Sequence, residues 1–207
     1  MMTRSSASAW LLVLIAASLG FVVGCKRQQQ AAPGPPQPTA ERAVTPAPEE
    51  GTEVEWELTS AAFTQGERIP VQHTRDGQGL SPPLEWTSPP EGTAELVLIC
   101  DDPDAPGGTW NHWIVYDLSP EATSLPEGVA TDAAVAEPAL KQGVTSFGST
   151  GYGGPSPPPG PTHRYQFTLY AVSAETDLEA GASKEQVLAA IEGKVLAETM
   201  LEGTYSR

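Results

Sequence analysis

Three segments of this 207-residue chain carry side chains that could hold a charged oxygen. The first, Cys100-Asp-Asp102-Pro-Asp104-Ala-Pro106, begins where the apolar run from Leu96 ends. The second is Trp110-Asn-His112-Trp113. The third runs from Gly148 through Tyr152-Gly153-Gly154-Pro155 to His163-Arg164-Tyr165. Imidazoles can donate N–H bonds, and glycine-rich backbone lets peptide N–H groups approach an anion closely. Prolines 155, 157, 158, 159 and 161 stiffen the last segment, so less order has to be imposed when a ligand arrives. Asp102 or Asp104 could fix a histidine tautomer by accepting its second N–H. Trp110, Tyr152 and Trp113 would supply an aromatic rim. The chemistry that fits is capture of a small oxyanion.

Taken singly, these pieces are ordinary: a histidine near a strand end is usually structural, Asp-Pro-Asp is usually a turn, and Gly-Pro runs are usually loops. A second reading is a hydrolase or metal-assisted enzyme built on Asp102, His112 and His163. Against it, the sequence has no His-Glu-x-x-His or His-x-x-x-His spacing, so no metal site and no cofactor are expected. A nucleophile elbow around Ser149 fails because Phe147 stands where its first glycine belongs, and Gly193-Lys194 is followed by Val195 rather than a hydroxyl residue. The third reading is an envelope interaction protein that modulates a protease or another partner.

The elements that would position these segments are mostly strands. Alternation predicts strands around Val54 to Leu58, Phe63 to Gln65, Ile69 to Thr74, Glu95 to Cys100, Trp113 to Leu118 and Arg164 to Val172. Leu96 to Cys100 has no polar alternation and suits a central strand covered on both faces. Ser183 and Gln186 form a capping box, and Val187, Ala190, Ile191 and Val195 follow on one helical face. A shorter helix is expected around Asp132 to Pro138. The fold class is therefore mainly β: an antiparallel, sandwich-like architecture with a few peripheral helices, one of them C-terminal.

The chain has 26 acidic and 11 basic residues, a formal charge of -15, which argues against nucleic acid as a partner. At the N-terminus, Arg4, an apolar run from Trp10 to Val23 and Gly24 read as an export signal over residues 1–24. The run is short for a membrane-spanning helix. Residues 25–51 read as a tether, because prolines 33, 35, 36, 38, 46 and 48 and a glutamine run fall here and the segment has almost no large apolar group. Residues 52–207 form the single folded domain. Cys100, at the end of an apolar run, reads as a buried, inert thiol.

The ending Val22-Val23-Gly24-Cys25 resembles the lipobox of bacterial lipoproteins, which implies acylation at Cys25 and a membrane anchor. Lys26 does not resemble the aspartate that retains lipoproteins in an inner membrane, so the outer membrane, facing the periplasm, is the expected location. Within the domain, Asp102-Pro-Asp-Ala-Pro106, Trp110-Asn-His-Trp113, Gly151-Tyr-Gly-Gly-Pro-Ser-Pro-Pro158, His163-Arg-Tyr165 and Ser81-Pro-Pro-Leu-Glu-Trp86 together resemble the phosphatidylethanolamine-binding protein family, and most of all its bacterial Raf-kinase-inhibitor-like branch. The resemblance implies a β-sandwich-like fold and a pocket for phosphate-type head groups. It implies that Asp102 and Asp104 border the pocket, that His112, Gly154, Pro155 and His163 line it, and that Tyr152 and Tyr165 stand close by. Where animal members carry two adjacent histidines this chain has Asn111-His112. Kinase inhibition is not implied for a bacterial lipoprotein, so the expected partners are a small anionic ligand and the membrane, with no protein partner named.

Overall fold

The computed structural model describes residues 56–207. The expectations placed on the export signal, Cys25, the tether and Val54 lie outside the described residues.

The large sheet is antiparallel, with strand order β6-β7-β4-β3-β8-β9. Its strands are β3 (Glu95–Asp102), β4 (Trp110–Leu118), β6 (Ala134–Ala136), β7 (Ala139–Gln142), β8 (His163–Val172) and β9 (Val195–Tyr205). A small sheet of β1 (Leu58–Thr59), β2 (Leu84–Trp86) and β5 (Ser124–Leu125) covers one face. Helix α1 (Lys184–Ile191) covers the other. The side-chain period of two sorts β3 between these layers. Leu96, Leu98 and Cys100 join Leu58, Leu84, Trp86 and Leu125 in the core under the small sheet. Val97 and Ile99 join Ile114, Tyr116, Val187 and Ile191 in the core under the helix. Both faces being buried explains the unbroken apolar run in the sequence.

Glu95, at the start of β3, is a buried carboxylate that accepts from Asp117 N at 2.7 Å, Thr176 N at 2.7 Å and Thr176 Oγ1 at 3.0 Å. These bonds replace its lost water. The expected capping box is present: Ser183 accepts from Gln186 N, and the Gln186 side chain accepts from Ser183 N.

Several expectations are corrected. The helix stops at Ile191, because Gly193 adopts a left-handed φ of 72° and turns the chain into β9. Val195 therefore opens an eleven-residue strand rather than extending the helical face. The segment 132–138 is not helical: β6 and β7 form a hairpin there, joined through Glu137-Pro138. Residues 63–65 are irregular, with Phe63 buried, and Val71–His73 form a 3-10 turn instead of a strand. Among the described residues there is one α-helix.

Candidate functional site

Antiparallel pairing brings the C-terminal end of β3 beside the N-terminal ends of β4 and β8. Asp102 pairs with Trp110, and Asp101 with Gln166. A bulge then re-aims one side chain. Cys100 lies opposite Trp113 while Asp101 lies opposite Asn111, so His112 is the extra residue on β4. Strict alternation would send His112 and Trp113 to opposite faces; the bulge lets both lie on the small-sheet side. His163 reaches that side by ordinary alternation with Tyr165, Phe167 and Leu169.

The result is a cavity of about 290 Å³, walled by Asp102, His112, His163 and Tyr165, and by Ala105, Pro106, Trp110, Phe147, Ser156, Pro157 and Pro158. Its lining is mostly apolar, so polar contacts inside it are little diluted by water. Asp102 is buried and both its oxygens are engaged. Oδ1 accepts from Asp104 N at 2.9 Å, and Oδ2 accepts from His163 Nδ1 at 2.8 Å. His112 Nδ1 donates to the carbonyl of Gly153, whose own N–H donates back to the His112 carbonyl at 2.8 Å.

A carbonyl or carboxylate only accepts, so both rings carry their proton on Nδ1. Each therefore offers Nε2 to the cavity, as a lone pair when neutral and as a donor when protonated. Burial pushes the His112 pKa down, against the Gly153 hydrogen bond and the Asp102 charge, which raise it. The Tyr165 hydroxyl is buried and makes no well-formed hydrogen bond, with the Asp102 carboxylate near it. Burial first, and then the nearby Asp102 carboxylate, push its pKa up, so it stays a neutral O–H donor. Aromatic packing fixes the walls: the His112 ring meets Tyr165 edge-on at 5.1 Å and Phe147 at 5.3 Å, and Phe147 meets Trp110 at 5.5 Å.

Not every expected residue lies at this cavity. Asp104 turns away: Arg164 grips it with Nε at 2.9 Å, Nη2 at 2.8 Å and its backbone N at 3.0 Å. Those bonds hold its pKa down at about 2. Arg164 points off the cavity face, and its role is to pin the turn after β3. Gly154 and Pro155 lie behind the wall. A Cβ on Gly154 would stand 2.9 Å from the His73 carbonyl, and the Pro155 carbonyl accepts from Arg75 N. The Gly153 N–H is committed to His112, so the glycine loop shapes the wall and orients an imidazole instead of presenting that N–H to an anion. Tyr152 is in the core, its hydroxyl donating to the His73 carbonyl at 3.0 Å. Trp113 is fully buried and donates to Gln142 Oε1 at 2.6 Å. Of the expected rim only Trp110, 39% exposed, remains. Phe147 is the wall residue that motif reasoning passed over. Its one sequence signal is being the lone large apolar residue in Thr145-Ser-Phe-Gly-Ser-Thr150. Among the described residues no three His, Cys, Asp or Glu side chains cluster as a metal would require.

The sequence profile of the phosphatidylethanolamine-binding proteins matches residues 59–206. A Methanothermobacter thermautotrophicus protein named "UPF0098 protein" is 48% identical over 150 residues, covering 72% of this chain and 98% of its own. A Mycobacterium tuberculosis protein named "Putative lipoprotein LppC" is 37% identical over 195 residues, covering 94% of this chain and 92% of its own. The crystal structure of Escherichia coli YbcL, described as a new member of the mammalian PEBP family, superposes with a TM-score of 0.69 at 30% identity. It covers 74% of this chain and 99% of that one.

Proposed function

Because this chain belongs to the phosphatidylethanolamine-binding protein family, we propose that its cavity binds a small oxyanion of the phosphate type, such as a phospholipid head group or another phosphorylated compound, without turning it over. One observation carries the reading. The Tyr165 hydroxyl is buried near the Asp102 carboxylate without a well-formed hydrogen bond, on the same wall as two imidazoles whose Nδ1 atoms are already engaged. A buried hydroxyl without such a bond costs about 1–3 kcal/mol, and an oxyanion acceptor would recover it. Asp102 accepts from His163 Nδ1 at 2.8 Å and so fixes the ring with Nε2 left for the anion.

We place the protein in the bacterial envelope, anchored through acyl chains on Cys25. The match to the LppC sequence is longer than the family profile, so it takes in residues ahead of the domain, which favours this placement. Lys26 favours the outer membrane, facing the periplasm, and fractionation of the two membranes tests that. Modulation of an envelope partner would then be a consequence of ligand occupancy.

The Asp102–His163 pair is also what a general base and its orienting carboxylate look like, which favours a hydrolase as the second reading. Ser156 shares the wall, yet it makes no hydrogen bond to His163 among the described contacts. The two readings part in one assay: purified domain incubated with phosphomonoesters, carboxylic esters and peptides. Binding of a phosphate compound with no product is expected; multiple turnovers abolished by Asp102→Asn would establish the hydrolase.

A further inference from the structure

We propose that Arg75 forms a second anion subsite beside the histidine cavity, so that the preferred ligand carries two anionic groups joined by a short linker; this rests on the oxyanion reading above. The guanidinium of Arg75 stacks on Phe147, 4.8 Å from the ring centre, and the His112 ring lies 5.3 Å from that same centre. One aromatic ring thus separates the cation from the cavity. On the Arg75 side lies a cleft of about 450 Å³, lined by Gly77, Gln78, Gly79, Ser149 and Gly154, with Phe147 common to both spaces.

Of the seven Lys and Arg side chains among the described residues, Arg75 alone has no oxygen acceptor: Arg68 donates to Ser206 and Lys194 to the Glu175 carbonyl. Lys141, Arg164, Lys184 and Arg207 are each paired with a carboxylate. Asp76, next to Arg75 in sequence, is taken by Arg207 and by the Tyr205 hydroxyl. Arg75 has no carboxylate partner among the described residues, in a chain with 26 acidic groups. Its donors stay available, and stacking on Phe147 limits the order that binding must impose. A guanidinium fork meets phosphate or carboxylate oxygens two at a time. The backbone is held too: Arg75 N donates to the Pro155 carbonyl at 3.0 Å, so the cation and the cavity loop are tied together.

The test compares propyl phosphate with propane-1,3-diyl bisphosphate by calorimetry at low salt, in wild type, Arg75→Gln and Arg75→Lys, with thermal melts to check folding. Two equivalent ends give about a twofold statistical advantage. A guanidinium contact at an exposed site should raise it to roughly three- to tenfold. The expected result is that gain in wild type, its loss in Arg75→Gln with propyl phosphate affinity unchanged, and part of it kept in Arg75→Lys. A wild-type gain no larger than the statistical one overturns the subsite, as does an equal gain in Arg75→Gln or an equal loss for both probes. If propyl phosphate binds and the gain is missing, only the subsite fails; if neither probe binds wild type, the oxyanion reading fails with it.

Discussion

Binding of an anion at His112 should be coupled to uptake of a proton. The ring's Nδ1–H is held by the Gly153 carbonyl, so neutral His112 shows a lone pair to the cavity. Burial lowers its pKa from the usual 6.5, so at neutral pH the ring is uncharged. A lone pair facing an oxyanion is repulsive; a protonated Nε2 donates. The ligand must therefore raise the pKa of the ring it meets. Affinity is greatest below the free ring's pKa and falls as pH rises from there to the pKa of the ring in the complex. Within that window each pH unit costs about 1.4 kcal/mol, a tenfold loss of affinity per proton bound. Dimethyl phosphate is the right probe, because its own charge stays constant across the range. Calorimetry at pH 7 in buffers of differing ionisation heat should report close to one proton taken up by wild type, and a smaller uptake by His112→Gln. An affinity flat from about pH 5.5 to 8, with no proton uptake, would refute the argument.

Three further outcomes follow from single contacts. Glu95→Ala leaves the N–H groups of Asp117 and Thr176 without their acceptor, and denaturant melts should show a loss of roughly 2–4 kcal/mol, with dimethyl phosphate affinity unchanged because Glu95 sits at the far end of β3. Gly153→Ala would put a Cβ 2.4 Å from Phe147 Cε2; it should cost about 1–3 kcal/mol and weaken phosphate binding, as the displaced ring is the cavity wall. Cys25→Ser should yield an unprocessed chain of different mass that lacks acyl groups, read by mass spectrometry of the membrane fraction.

The layers of this fold were legible where burial writes a period into the sequence. Leu96 to Cys100 announced a strand covered twice, Tyr165 to Val172 a half-buried one, and Ser183 with Gln186 the start of α1. β9 was hidden because Leu196, Ala197, Glu198, Met200 and Leu201 are helix formers by propensity; its strand state is imposed by the long pairing with β8. The hairpin at 134–142 was hidden for the same reason, since its alanines carry no β signal and only pairing with β4 selects it. At the site, Asp102, His112, His163 and Tyr165 were recognisable from their motifs. That Asp102 serves His163 while Gly153 serves His112 was not, because a one-residue bulge decides which way His112 points. Asp104 and Gly154 stood in the same motifs for structural reasons: one anchors Arg164, the other lets the loop pass the His73 carbonyl.

The central claim, an oxyanion held between two imidazoles, can be read at the nitrogens themselves. The chain has three histidines, and the third, His73, is buried away from the cavity with Nδ1 against the Leu80 carbonyl, so it serves as an internal reference. Nitrogen NMR of protein labelled at histidine, titrated with dimethyl phosphate near neutral pH, should move the Nε2 signal of His112 toward the protonated, donating form and perturb that of His163 by contact, while the Nδ1 signals change far less and His73 stays in place. A His112 Nε2 signal that does not move at saturating phosphate would contradict the account.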